Sequence, residues 1–118
     1  MTPKEYTEFV VGLASEASTK DIESVYATAA LGLAGESGEF ADLVKKILFQ
    51  GKESTAETQH KMLSELSDIL WYITFAASKI LDFSLQDIID FNVAKLTKRY
   101  PTGKFQKKDF LNKEMNEK

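Results

Sequence analysis

The chain has no cysteine among its 118 residues. That excludes disulfides, thiolate nucleophiles and cysteine-ligated zinc or iron–sulfur sites. A single histidine, His60, excludes a His-rich metal site within one chain and argues against a histidine-based triad. Proline is scarce, at two, and glycine stands at six, so little interrupts the backbone. No apolar run reaches the length of about 18 residues that a membrane span needs, and the start carries no signal-peptide pattern. The expectation is therefore a cytoplasmic protein with no membrane partner.

Charge of one sign is also lacking as a global feature. Fifteen Lys and Arg against 18 Asp and Glu give a net charge of −3, with no basic footprint for a stable nucleic-acid partner. Residues 101–118 depart from this balance, with five lysines against three acids. At 118 residues the chain has room for one domain. The reading is a single domain over 1–103 and a polar tail over 104–118.

What the sequence does have is helical apolar spacing nearly throughout. Thr2-Pro3-Lys4-Glu5 combines an N-cap, a proline at the first helical position and a capping-box acid. Tyr6, Phe9, Val10, Leu13, Ala14 and Ala17 then recur at helical steps as one inward stripe. Residues 18–23 read as a connection, with Ser18, Thr19 or Asp21 as the next cap. A second helix is expected over about 24–49, stopping at Gln50-Gly51. Ser54-Thr55-Ala56-Glu57 reads as a second capping box. It opens a helix over about 55–82 with Leu63, Leu66, Ile69, Leu70, Ile73, Ala77 and Ile80 inward. A fourth helix starts near Ser84, carries Leu85, Ile88, Ile89, Val93 and Leu96, and ends at Tyr100 before Pro101. No segment alternates long enough to be a strand. The fold class is all-α.

Two acid pairs stand out. Gly32-Leu33-Ala34-Gly35-Glu36-Ser37-Gly38-Glu39 places three glycines in a helix interior, each costing about 1 kcal/mol relative to alanine. Such a choice implies close approach by another backbone or a ligand. Glu36 and Glu39, three apart, share a helix face. Glu65-Leu66-Ser67-Asp68 repeats the spacing within an apolar run that continues through Trp71 and Tyr72. If these helices pack antiparallel, four carboxylates converge and repel one another unless a cation lies between them. Hard divalent ions with oxygen ligands, Mg²⁺ or Mn²⁺ as a substitute, fit that need.

A cationic stripe follows on the last helix: Asn92, Lys95 and Arg99, at steps of three and four. Cations late in a helix suit its dipole. They also form a phosphate clamp, the arginine as a planar fork and the lysine as a point charge. Lys46, seven residues beyond Glu39, returns to nearly the same face. Carboxylates together with a cationic stripe suit a metal-bound polyphosphate.

Taken in order, Leu31 to Glu39, Glu65 to Tyr72, and Asn92-x-x-Lys95-Leu96-x-x-Arg99-Tyr100-Pro101-x-Gly103 resemble the MazG-like all-α nucleotide pyrophosphohydrolases. The family pattern is E-x-x-E, a spacer, then E-x-x-D. The spacer here is residues 40–64, and the resemblance covers about 24–105. It implies a four-helix fold completed by packing of homodimers or homotetramers. It also implies Mg²⁺-dependent cleavage of the α–β phosphoanhydride of a dNTP or NTP, giving a monophosphate and pyrophosphate. By the same resemblance Glu36, Glu39, Glu65 and Asp68 are metal ligands; metal-assisted attack by water then needs a general base, and Glu36 or Glu39 is the candidate. Lys46, Asn92, Lys95, Arg99 and Tyr100 hold the substrate. Phe9, Trp71 and Tyr72 are candidates for the base-recognition surface. The tail departs from many relatives in lacking a late arginine.

Two other readings compete. A di-iron or di-manganese carboxylate protein needs two Glu-x-x-His motifs. The chain has one, Glu57-Thr58-Gln59-His60, and His60 lies about 140° around the helix from Glu65. The alternative that keeps the nucleotide is a non-catalytic nucleotide-binding helical module or regulator.

Overall fold

In a computed structural model, residues 1–111 are described; the rest of the expected tail, 112–118, lies outside them. The described residues contain helices and no strand, as the sequence pattern requires. The helices are α1 (Pro3–Leu13), α2 (Glu16–Thr19), α3 (Ile22–Phe49), α4 (Ala56–Leu81) and α5 (Leu85–Arg99). A further helical turn begins at residue 107. None of the helices is long and apolar enough to cross a membrane, among the described residues. Met1–Leu85 forms one compact unit, and the chain from Gln86 forms a second.

Local hydrogen bonds explain most boundaries. The Thr2 hydroxyl accepts from the Glu5 backbone N–H at 3.1 Å, and the Glu5 carboxylate accepts from the Thr2 N–H at 3.2 Å, completing the capping box. Asp21 caps α3 by accepting from Ser24 N–H at 2.7 Å; the Ser24 side chain first, and then this backbone bond, hold its carboxyl below the usual range. Gly51 takes a φ of 71°, and the Gln50 and Lys52 N–H groups both return to the Lys46 carbonyl at 3.1 Å. At the end of α4 the left-handed residue is Asp82, with φ 58°, and Phe83 N–H bonds the Ala77 carbonyl at 2.9 Å.

Three boundaries differ from expectation. Residues 16–19 form the one-turn α2, capped by Ser15, a piece too short to carry a period of its own. Thr55, not Ser54, caps α4 by accepting from Thr58 N–H at 3.2 Å. Glu57 therefore falls outside a capping box and pairs with Lys61 at 3.6 Å. The last long helix ends one residue early, at Arg99, where Tyr100 N–H still reaches the Leu96 carbonyl.

The core of the first unit is small. Val10, Val25, Ala29 and Phe75 are buried together, with Tyr6, Ala14, Trp71, Ala76 and Ile80 packed against them. Trp71 stacks on Phe75 with ring centroids 5.4 Å apart. One polar bond ties in the far end of this unit. The Thr7 hydroxyl accepts from Leu85 N–H at 2.8 Å while donating to the Pro3 carbonyl at 3.0 Å.

The expected inward stripes are only partly inside. On α1, Val10 is buried, but Phe9 and Leu13 are 52% and 62% exposed, and Ala17, which falls on α2, is exposed. On α4, Ala77 is buried and Ile69, Ile73 and Ile80 are half-buried, whereas Leu63, Leu66 and Leu70 face outward. On α5, Leu85 is buried and Ile88 half-buried, whereas Ile89, Val93 and Leu96 are exposed. The physical reason is apolar residues on more than one face of each helix. Periodicity then cannot say which face meets the neighbour within this chain.

Candidate functional site

The connection 50–55 turns the chain between α3 and α4, which pack against each other as an antiparallel hairpin. The register is visible in its pairs. Tyr72 lies against Gly32, Glu65 and Asp68 face Glu36, and Lys61 shares a cleft with Asp42. Moving along one helix by a turn therefore moves one turn back along the other.

The two acid pairs meet in this hairpin. Glu36, Glu65 and Asp68 each offer a carboxylate oxygen, and the three oxygens lie within 4.8 Å of one another. Glu36 and Glu65 are half-buried, and Asp68 is exposed. One oxygen of Glu36 and one of Glu65 are shielded from solvent without a hydrogen-bond donor. Anionic oxygens in that state call for a positive partner.

Glu39 is exposed beside this group and makes carboxyl contact with Glu65 and Glu36. Contact with the Glu65 carboxyl and repulsion by its charge are the main causes that push Glu39 above the usual carboxylate range. Glu65 is pushed up in turn, first by the Glu36 carboxyl against it, with desolvation and the charges of Glu36 and Asp68 adding. Both shifts run upward because the carboxyls crowd one another. An all-oxygen, all-carboxylate donor set of this kind fits a hard divalent cation, Mg²⁺ or Mn²⁺.

A cleft of about 440 Å³ continues from the acids along the hairpin, lined by Gly35, Gly38, Glu39, Asp42, Leu43, Lys61 and Glu65. The three glycines of α3 divide into two kinds. At Gly32 a β-carbon would collide with the Tyr72 ring. At Gly35 and Gly38 nothing lies within 4 Å of the β-carbon position, so their bare backbone opens onto the cleft.

Asp42 and Lys61 were not legible as site residues, because neither belongs to a motif. The signal available was register alone: Lys61 is one turn before Glu65, and Asp42 one turn after Glu39. Lys46, a candidate phosphate ligand from the sequence, is paired within its own helix. Its Nζ is held at 2.8 Å by Asp42, which also pairs with Lys45 at 3.4 Å. The two lysines keep the Asp42 carboxyl below its usual range.

Aromatic side chains gather at the other end of the acid group. Trp71 meets Tyr72 edge-on at 5.1 Å, and Tyr6 stacks with Phe9 at 6.2 Å. Burial and the charge of Asp68 push the Tyr6 hydroxyl above its usual range.

Asn92, Lys95, Arg99 and Tyr100 belong to the second unit. Asn92 and Tyr100 line a cleft of about 380 Å³ there, with Pro101, Gly103 and Phe105. Tyr100 and Phe105 rings stand 5.5 Å apart, and the Arg99 guanidinium lies 5.8 Å from the Tyr100 ring centre. The Arg99 Nε is shielded without a hydrogen-bond acceptor. Lys95 is exposed on α5, and His60 is exposed on α4.

Comparison with known proteins agrees with this geometry. The model of the MazG nucleotide pyrophosphohydrolase domain matches residues 24–104. The "Gene 37 protein" of Mycobacterium phage L5 is 38% identical over 78 residues, which span 64% of this chain and 67% of the phage protein. No solved structure matches significantly.

Proposed function

From the premise that the chain belongs to the MazG nucleotide pyrophosphohydrolase domain family, we propose that it hydrolyses the α–β phosphoanhydride of a dNTP or NTP in a Mg²⁺-dependent reaction. One water is consumed, and a nucleoside monophosphate and pyrophosphate are released. The observation that carries this reading is the convergence of Glu36, Glu65 and Asp68, with two shielded carboxylate oxygens lacking a donor.

In this reading Glu36, Glu39, Glu65 and Asp68 hold the metal. When bound, Mg²⁺ supplies positive charge that polarises the phosphoryl oxygens. Glu36 or Glu39 takes the proton of the attacking water. Asn92, Lys95 and Arg99 clamp phosphates as donors and fixed charges, and Tyr100 lines the substrate site. Lys46 reaches a phosphate by exchanging its Asp42 partner. Phe9, Trp71 and Tyr72 form the surface from which base recognition is built.

The working form in this reading is a cytoplasmic homodimer or homotetramer, each chain contributing residues 1–103 as its domain. Exposed Leu31, Leu48, Phe49 and Leu63 in the first unit supply apolar surface that association would cover.

The test is incubation with Mg²⁺ and each common NTP and dNTP, followed by product separation. Monophosphate plus pyrophosphate is expected, abolished by Glu39→Ala or Asp68→Ala. Diphosphate plus orthophosphate overturns the bond assignment. Stoichiometric binding without product replaces the hydrolase by a nucleotide-binding module.

A further inference from the structure

We propose that Lys61 is a phosphate-binding residue that seats the pyrophosphate half of the substrate in the α3–α4 cleft, over the bare backbone of Gly35 and Gly38. This rests on the hydrolase reading above. It adds a substrate contact from α4 that no motif marks, and it gives the substrate a direction along the hairpin.

The direction follows from the order of residues. The acid group occupies the middle of the hairpin. A nucleoside triphosphate cut between its α and β phosphates must extend to both sides of that centre, nucleoside one way and pyrophosphate the other. Towards Tyr72 the gap between the helices is filled, because the Tyr72 ring occupies the β-carbon space of Gly32. Towards Lys61 it is open: Gly35 and Gly38 meet nothing within 4 Å, and the cleft has about 440 Å³. Its lining contains no aromatic side chain on which a base could stack. It contains a lysine one turn from Glu65. Room, a cation and no stacking surface suit a pyrophosphate group rather than a base.

The ion pairs divide the work between the lysines. Asp42 also lines the cleft and would repel phosphate, but Lys46 at 2.8 Å and Lys45 at 3.4 Å offset its charge. Lys61 is bound more loosely. Its pair with Glu57 is 3.6 Å long, beyond hydrogen-bond length, and the Glu57 side chain is 82% exposed. Little is lost when its ammonium turns towards a phosphate. A lysine serves here as a point charge on a flexible stem, able to follow pyrophosphate as it leaves.

The experiment is calorimetric titration of the wild type, Lys61→Gln and Lys61→Arg with pyrophosphate in the presence of Mg²⁺, and separately with a nucleoside monophosphate. Pyrophosphate is the product, so binding is read without turnover. Lys61 is exposed on α4, so melting temperatures of all three proteins should agree. Lys61→Gln is expected to weaken pyrophosphate binding about tenfold or more, with Lys61→Arg restoring most of it and monophosphate binding unchanged. Equal pyrophosphate affinity in Lys61→Gln and an active wild type overturns the role of Lys61 and leaves the hydrolase standing. So does an equal loss for both ligands, or an active wild type that binds no pyrophosphate. A wild type that neither hydrolyses any nucleotide nor binds pyrophosphate removes the hydrolase reading and Lys61 with it.

Discussion

The ring of Tyr72 lies against the backbone of Gly32, in the space that a β-carbon would take. This pair is a close contact between α3 and α4, and it lies in the same register as the acid pairs. One register step away are Glu36 and Asp68. The absence of a side chain at Gly32 is therefore part of what brings the acids together.

The three helix-interior glycines should respond oppositely to alanine. Gly32→Ala forces the Tyr72 ring or the helix to move, and should destabilise by about 1–3 kcal/mol. Gly35→Ala and Gly38→Ala meet open space, so the ordinary helix preference for alanine should stabilise each by about 0.5–1 kcal/mol. Yet both residues line the proposed pyrophosphate seat. They should raise KM while raising thermal stability. Denaturant melts paired with steady-state kinetics on the same three variants check this. A Gly35→Ala protein that is both less stable and normally active would refute it.

Thr7 provides a second check on the fold. Its hydroxyl satisfies Leu85 N–H, a buried donor 78 residues away, and spends its own proton on Pro3. Thr7→Val keeps the shape and removes both bonds, leaving a buried N–H unpaired. A loss of about 1–3 kcal/mol is expected. Thr7→Ser keeps the hydroxyl and should lose less. Equal stability of the valine variant and the wild type would mean that water or another acceptor replaces the hydroxyl.

Why some features could be read from sequence and others not follows from the range of the forces involved. The cap at Thr2 and the stop at Gly51 rest on bonds within a few residues, so the local sequence specifies them, while Asp21 was one of three local candidates for the cap of α3. The E-x-x-E and E-x-x-D pairs were legible as pairs. Their meeting required only an antiparallel hairpin, which a short connection enforces. The inward face of α4 was only partly legible. Ala77 is buried and Ile69, Ile73 and Ile80 are half-buried as the spacing requires, but Leu63, Leu66 and Leu70 repeat equally well and face outward, while Thr58, Thr74 and Phe75 are buried. Periodicity reports that a helix has an apolar face, not which neighbour covers it. The Lys46–Asp42 pair was likewise not read from the sequence, although its four-residue step along α3 permits it.

The acid group makes stability depend on pH and metal in a direction set by its raised carboxyls. Glu39 and Glu65 hold protons more tightly in the fold than at the ordinary value of 4.5. The native state thus binds more protons than the unfolded chain as pH rises from that value through the raised ones. Stability of the metal-free protein should fall across this window and stay low at neutral pH. Asp21 and Asp42 act the other way. Their lowered values give stability that is present above 3.8 and is lost as pH falls below it, a separate and more acid window. Glu65→Gln removes one repelling charge. Without metal at about pH 7 it should melt above the wild type. Saturating Mg²⁺ reverses the order. A cation held only by the native acids stabilises the wild type by about 2.7 kcal/mol at a hundredfold excess over Kd, and the variant gains less because it has lost a ligand. Calorimetric scans of both proteins from about pH 4.5 to 8, with Mg²⁺ and with chelator, check the crossing. A metal-free wild type that gains stability on going from pH 5 to 7, or a glutamine variant that melts below it without metal, would show that the carboxylates do not repel as their placement requires.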